Sequence, residues 1–370
     1  MHTFQTAREI VTGLGCVRCA GTRARALGTR VLLVTGRRAM RASGTTDALL
    51  ALLADANLPV VLFEEVEHDP DLATIDAGRK LCRDEACDVV IGLGGGSAID
   101  AAKAIAGLAH EASPTVAYQD GKAITAPALP LVAIPTTSGT GSEATKVAVL
   151  TNAATRVKKS IRADTMWPAV AIVDPELTVS CPPAVTAASG MDALVQAIES
   201  FTSIHATPLT DALAYDAACR LIRALEAAYD DGQNLDAREQ CAYGSLQAGM
   251  ALANARLGAV HGIAHPLGAR CGLAHGVACA LLMPPVMRLN APHVGDKYAR
   301  LSAVAGGDII AFVERLLDRL GLLSAFHGPS VSGEEVVSIV EESMASGSLK
   351  ANPTPVTEED VMDILEALPG

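Results

Sequence analysis

Three of the chain's nine histidines fall in one short stretch, Leu257-Gly-Ala-Val-His261-Gly-Ile-Ala-His265-Pro-Leu-Gly-Ala-Arg-Cys-Gly-Leu-Ala-His275-Gly-Val. His261 and His265 are four apart, so they share one face of a helix. Pro266 should end or kink that helix. Gly268 and Gly272 let the chain turn, and His275 opens a second apolar run. Imidazoles converging from two elements suit a metal or a catalytic centre. Core histidines beside a helix break would show the same spacing, so the pattern alone leaves both readings open.

A second set of polar groups stands upstream, in Asp192-Ala-Leu-Val-Gln196-Ala-Ile-Glu199. Helical spacing puts Asp192 and Gln196 on one face, with Glu199 a turn further. A carboxylate and an amide oxygen facing His261 and His275 would make a four-ligand site. The alternative is an Asp favoured in a helix's first turn by the macrodipole.

Two glycine-rich turns suggest a phosphate-bearing ligand. Gly94-Gly95-Gly96-Ser97 follows an apolar run and opens a helical one. Bare glycine amides at a helix N-terminus cradle an anion, because the unsatisfied N–H groups and the helix dipole both favour negative charge. The spacing is neither the usual dinucleotide fingerprint nor a P-loop, since no Lys-Ser/Thr pair follows. Pro135-Thr136-Thr137-Ser138-Gly139-Thr140-Gly141-Ser142-Glu143 packs hydroxyls and glycines after another apolar run. Together the two turns suggest loops around one dinucleotide.

The elements that must position these groups change character along the chain. As far as Asp174-Pro175, short apolar runs alternate with helical patterns. Strands are expected at 4–10, 30–35, 59–63, 88–91, 129–134, 147–151 and 170–173, with helices between them. That alternation predicts a doubly wound, mainly parallel sheet. Beyond Cys181-Pro182-Pro183 only Ala- and Leu-rich helical runs follow, at 184–204, 207–229, 236–256, 275–287, 296–305, 308–321, 333–345 and 357–368. The expected organisation is an α/β dinucleotide-binding domain over 1–180 and an all-helical metal and catalytic domain over 181–370.

Composition narrows the functional classes. Half the residues are hydrophobic and 3% aromatic, and the net charge is −12. That charge argues against nucleic acid or an anionic membrane surface as partner. No apolar run approaches a membrane span, and the first residues lack a signal-peptide layout. The nine cysteines are scattered in apolar runs and read as reduced thiols of a cytoplasmic protein. Cys16-Val-Arg-Cys19 has redox or metal spacing without a second pair nearby.

With these motifs in register, the chain resembles the iron-containing (group III) alcohol dehydrogenases. The resemblance runs through Gly94-Gly-Gly-Ser97, Pro135 to Glu143, Gly190-Met-Asp192-Ala-Leu, His261-Gly-Ile-Ala-His265-Pro-Leu-Gly, His275-Gly-Val and Asn352-Pro353. It implies the fold shared with dehydroquinate synthases, with the active site in the cleft between an α/β and an all-α domain. It implies a metal held by Asp192, Gln196, His261 and His275, Fe(II) or Zn(II), and His265 as a pocket histidine that passes a proton. Here Gln196 departs from the family's usual His, and an amide oxygen is a weaker donor than imidazole. Thr136, Thr137 and Ser142 would join the glycine loop at the cofactor, with Asp100 beside the pyrophosphate loop and Lys159 near the nicotinamide ribose.

The resemblance further implies reversible hydride transfer between NAD(P)H and a small alcohol, aldehyde or ketone, in a homo-oligomer such as a dimer. Relatives that prefer NAD often carry Asp where Gly36 stands. Its absence, with Arg37, Arg38 or Arg41 available for a 2′-phosphate, favours NADP. The alternatives are a metal-independent oxidoreductase resembling maleylacetate reductases, a lyase of the dehydroquinate synthase type, and a nucleotide-binding sensor with a decayed metal site. Dehydroquinate synthases lack the His261–His265 block.

Overall fold

The structure, a computed structural model, describes residues 2–155, 157–323 and 333–368. The chain divides into two compact units. One comprises Thr6–Thr137 and Gly141–Ser180; the other holds the described residues within Met1–Gln5, Ser138–Thr140 and Cys181–Gly370.

The first unit alternates strands and helices. In chain order these are β1 (Glu9–Thr12), α1 (Ala20–Leu27), β2 (Val31–Gly36), α2 (Ala39–Ala42), α3 (Thr45–Asp55), β3 (Val60–Val66) and α4 (Leu72–Asp84). They continue with β4 (Val89–Gly94), α5 (Gly96–Gly107), α6 (Thr115–Gln119), β5 (Leu131–Pro135), β6 (Val147–Asn152), β7 (Val157–Arg162) and β8 (Val170–Val173). Six strands form one sheet in the order β1-β8-β5-β4-β2-β3, every pair parallel. Both faces of such a sheet are covered, so its strands are apolar without alternation. In β2, Val31 and Leu33 feed one buried cluster while Leu32 and Val34 feed the other. The opening strand is later than expected, at Glu9–Thr12, where it registers with Val170–Val173 of β8. The expected strand at 147–151 is paired, as β6, in an antiparallel hairpin with β7 outside the main sheet.

The helical unit runs α7 (Pro183–Thr202), α8 (Pro208–Asp230), α9 (Leu235–Ala255), α10 (Ala259–Cys271), α11 (His275–Ala305), α12 (Ile309–Arg319), α13 (Gly333–Ala345) and α14 (Glu358–Glu366). From Gly190 to Thr202, α7 is buried all round, as a central helix must be. Proline does not end α10. Pro266 lies inside it, and Gly272 closes the helix in the left-handed region at φ 64°. Pro266 removes one backbone donor, but Val260, Ile263, Ala264 and Leu267 of the same helix are buried in the core, and that burial outweighs the loss. The two helices expected at 275–287 and 296–305 are one, kinked at Val294. No helix among the described residues is long and apolar enough to cross a membrane.

Candidate functional site

Three helices of the second unit each offer a pair of polar side chains four residues apart. α7 carries Asp192 and Gln196, α10 carries His261 and His265, and α11 opens on His275 with Cys279 one turn on. Side chains at this spacing lie one above the other, so each helix turns a two-residue polar face inward. Gly276 permits the approach of α11 to α7, since a Cβ there would lie 2.1 Å from Ala188 O.

One donor atom from each of Asp192, His261, His275 and Cys279 lies within 4.8 Å of the other three. His261 Nε2 is 3.3 Å and His275 Nε2 3.8 Å from Asp192 Oδ1. The His261 and His275 ring centroids are 5.4 Å apart, and His265 stacks on His275 at 4.8 Å. His265 thus stacks against the cluster but is not one of the converging donors.

Glu199 completes the arrangement from below. Its Oε2 lies 2.5 Å from His261 Nδ1, and its Oε1 accepts the Val260 N–H at 2.7 Å. Glu199 thus holds the Nδ1 proton, so that Nε2, which faces Asp192, is the nitrogen an ion would take. Asn352 holds the same helix end, accepting the Ala259 N–H at 3.2 Å while exchanging two amide hydrogen bonds with Asn290.

Burial alone would raise the Asp192 pKa, but His275, His261 and the Gln196 amide outweigh it and keep the carboxyl ionised. Burial would likewise lower that of His261. The Cys279 thiol and the Glu199 and Asp192 carboxylates overcome it and raise the value. Burial lifts Cys279 to about 11.

The donors fit a divalent ion. Imidazole nitrogen and carboxylate oxygen suit a borderline metal. Gln196 Oε1 is also a buried acceptor without a hydrogen-bond partner among the described residues, in a side chain 4% exposed. Buried acceptors of this kind call for an explanation, and an ion is one.

In the other unit, the loops expected at a cofactor stand at the carboxyl ends of neighbouring strands. Gly36 ends β2, Gly94 to Gly96 join β4 to α5, and Thr136 and Thr137 follow β5. The chain leaves β2 toward β3 on one side and resumes at β4 on the other, so β2 and β4 flank the point where strand order reverses. Open parallel sheets bind ligands at that crevice. Gly94 holds φ 144°, which only glycine adopts without strain, and its carbonyl accepts the Thr136 N–H at 2.9 Å. Gly95 is the N-cap of α5, with Thr137 packed beside it, so the first amides of that helix are bare. Ser97 Oγ accepts the Asp69 N–H.

Asp100, on α5 just after the glycine loop, is half-buried and hydrogen-bonded to the buried Ser142. Lys103 extends toward this pair, surrounded by Ser142 O at 2.7 Å, Ser142 Oγ at 2.8 Å, Thr145 Oγ1 and Val147 O. Burial pushes Lys103 down to about 8, Glu143 up to about 7, and Asp100 upward. The hydrogen bonds of Lys103 fasten the loop after β5 onto α5.

Lys159 is exposed on β7. Its neighbour Lys158, on the opposite strand face, is the lysine that reaches Asp69, at 2.6 Å, next to Ser97. Of the three arginines after β2, Arg37 is tied to Glu65 and Glu67, and Arg41 to Glu64 and Asp47. Arg38 is exposed and enters no ion pair among the described residues. Cys16 and Cys19 are free thiols on a short 3-10 turn.

Comparison with known proteins decides the class of this arrangement. A family model described as iron-containing alcohol dehydrogenase matches residues 7–175, and its C-terminal counterpart matches residues 186–368. The chain belongs to the iron-containing alcohol dehydrogenase family. It is accordingly a nicotinamide-dependent oxidoreductase acting on CH–OH groups.

Family members align over nearly the whole chain. An NAD-dependent methanol dehydrogenase of Bacillus methanolicus is 33% identical, covering 99% of each chain. A 1,3-propanediol dehydrogenase of Klebsiella pneumoniae is 37% identical over 95% of each. The crystal structure of a 1,3-propanediol oxidoreductase superposes with a TM-score of 0.94 at 35% identity, covering 99% of both chains.

Sequence reasoning gave no role to Glu199, Cys279, Lys103 or Glu143. Cys279 carried a usable signal, the same four-residue spacing from His275 that marks Asp192–Gln196 and His261–His265.

Proposed function

We propose that this protein reduces a small aliphatic aldehyde or ketone, and oxidises the matching alcohol, with NADP in preference to NAD and a divalent ion at Asp192, His261 and His275. The observation that carries this is the convergence of those three side chains from three helices, with the buried Gln196 amide bonded to Asp192. On this reading residues 1–180 bind the dinucleotide and residues 181–370 hold the metal.

Each part of the chain has a task in that chemistry. The α5 N-terminal amides, bared by Gly94, Gly95 and Gly96, bind the pyrophosphate, with Ser97, Thr136 and Thr137 beside it. Asp100 and Ser142 support that loop from beneath. Lys159 is the lysine for the nicotinamide ribose, with Lys158 beside it on β7. The dinucleotide supplies the hydride. Asp192 and the two imidazoles hold the ion, Fe(II) or Zn(II), with Gln196 beside them. A bound ion of this charge supplies Lewis acidity toward a carbonyl oxygen. His265, half-buried and stacked on His275, is the group that passes a proton to the product oxygen. Gly36 puts no carboxylate against a 2′-phosphate, and Arg38 is the arginine free to meet it.

The relatives' substrates support the small-alcohol class: methanol and 1,3-propanediol appear in the names of two. The test is oxidation of NADPH and NADH against a panel of aldehydes, with metal-stripped protein and with iron, zinc or manganese restored. Activity that is lost on stripping and returns with one ion is the expected result. Full activity under strong chelation, with no metal by elemental analysis, would sink the metal reading in favour of metal-independent reduction.

A further inference from the structure

We infer that Cys279 is itself a ligand of this centre, its thiolate supplying the strong fourth donor that the weaker Gln196 amide oxygen does not, and that the site therefore selects zinc over iron. The inference rests on the metal reading above and adds a donor to it.

Geometry places Cys279 with the ligands. Its sulfur is 3.6 Å from His275 Nε2, and it belongs to the group of four whose donor atoms lie within 4.8 Å of one another. The side chain is fully buried, one turn below His275 on the inward face of α11. A cysteine in an apolar core is ordinarily a small hydrophobe. Here the sulfur instead faces two imidazoles and a carboxylate.

Gln196 is the independent second observation. Its amide hydrogen-bonds the Asp192 carboxylate and so helps fix it, which occupies the N–H side of the group. Its Oε1 is left buried without a partner among the described residues. One side chain thus uses its donor to position Asp192, while its remaining atom is the weakest donor near the centre. Cys279 offers the stronger one.

Charge and softness follow from the exchange. Asp192 alone offsets half the charge of a divalent ion, whereas Asp192 with a thiolate offsets it in full. The thiol proton leaves to solvent when the ion binds, as is usual for cysteine ligands. A donor set of one sulfur, two nitrogens and one oxygen suits zinc, whose ordinary ligands are thiolate, imidazole and carboxylate.

The experiment uses the full-length protein, stripped of metal and reloaded with one equivalent of cobalt(II) as a spectroscopic stand-in for zinc. A thiolate-to-cobalt charge-transfer band in the near ultraviolet is expected in the native protein and in Gln196→Ala. It should vanish in Cys279→Ser and Cys279→Ala, with cobalt affinity falling by a factor on the order of ten to a hundred, the scale on which even outer partners of a metal act. Circular dichroism checks that both cysteine variants fold, and serine preserves the shape. After expression in medium containing both metals, elemental analysis should find zinc in the native protein and less of it in Cys279→Ser.

Stoichiometric cobalt with no charge-transfer band, or a band unchanged in Cys279→Ser, would overturn the thiolate ligand while leaving the centre intact. Iron as the dominant native metal would overturn the selectivity. Cobalt binding that fails in the native protein, or that ignores Asp192→Asn, would remove the metal centre and this inference with it.

Discussion

His261 Nδ1 lies 2.5 Å from Glu199 Oε2, one helix away and 62 residues apart in sequence. The contact fixes the imidazole's orientation and the nitrogen that carries its proton, and it leaves Nε2 to face Asp192. Glu199 is buried and acts on the centre through His261. Glu199→Gln preserves size and can still hydrogen-bond, but loses the charge that makes the ring a better donor. Metal affinity should fall by about 10–100-fold. Competition against a chromophoric chelator measures this directly, and an unchanged affinity would reduce Glu199 to a helix-end acceptor for Val260.

Gly94 and Gly95 differ in what a side chain would meet. At Gly94 the backbone is in the left-handed region and a Cβ would sit 2.9 Å from Ala98 Cβ, so substitution strains the turn itself. At Gly95 the nearest neighbour, Thr137 Cγ2, is 3.4 Å away and φ is −74°, so the fold has room. Gly95→Val should therefore fold normally while its branches block the approach of a phosphate. Losing even one charge-assisted hydrogen bond of roughly 1.5–3 kcal/mol weakens binding by at least about tenfold. Calorimetry with NADP and NAD tests this; intact nucleotide affinity would mean that the triple glycine is only a turn.

Much of this architecture was legible because the strands of the main sheet are buried on both faces. A run such as Val31-Leu-Leu-Val34 leaves little else for the chain to do. β7 was not legible: Val157-Lys-Lys-Ser-Ile-Arg162 has three cations, no clean apolar alternation in its sequence and one buried residue, Ile161. In the centre, the four-residue spacings of Asp192–Gln196 and His261–His265 were readable as shared faces. Glu199 was visible as a carboxylate one turn on, but its partner comes from another helix, and pairing over that separation is set by packing. Cys279 and Lys103 were hidden by ordinary expectation. Cysteine in an apolar run is normally core, and a lysine in a helix normally faces water. Here Lys103 is 1% exposed and tied to four oxygens.

On the proposed NADP preference, the end of β2 is the discriminating loop. Arg37 and Arg41 are already paired with acidic residues, which leaves Arg38 as the cation for a 2′-phosphate. Gly36→Asp should weaken NADPH far more than NADH, because a carboxylate repels the phosphate and hydrogen-bonds the bare ribose. Arg38→Ala should raise the KM for NADPH by several-fold and leave that for NADH nearly unchanged. Steady-state kinetics with both cofactors decides; equal effects on the two would exclude this loop as the discriminator.

The layer of Asp100, Lys103 and Glu143 predicts a pH dependence of stability. Burial raises Glu143 from its ordinary 4.5 to about 7, against the opposing pull of Lys103. The folded state then holds this proton more tightly than the unfolded chain. Its contribution is fully present below pH 4.5 and is lost as pH rises through about 7. Glu143→Gln cannot titrate. The variant should match the native protein in Tm near pH 5 and exceed it by a few degrees near pH 8. Melting curves at the two pH values test the sign, and a Tm difference independent of pH would refute it.

Gln196 and Cys279 should be energetically coupled, and the coupling distinguishes a shared ion from two separate neighbours. Gln196→His alone adds an imidazole to a centre that already has Asp192, His261, His275 and the thiolate, so the gain in zinc affinity should be modest. In the Cys279→Ser background the same substitution supplies a missing donor, and the gain should be larger by about tenfold, or roughly 1.4 kcal/mol. Side chains that share one partner deviate from additivity by about 0.5–3 kcal/mol, so a difference of that size is measurable. The four proteins of the cycle are titrated with zinc against a chelator of known affinity. Additive effects would show that the two residues do not address the same ion. A larger gain in the serine background means that the introduced imidazole takes over the donor role that the thiolate otherwise fills.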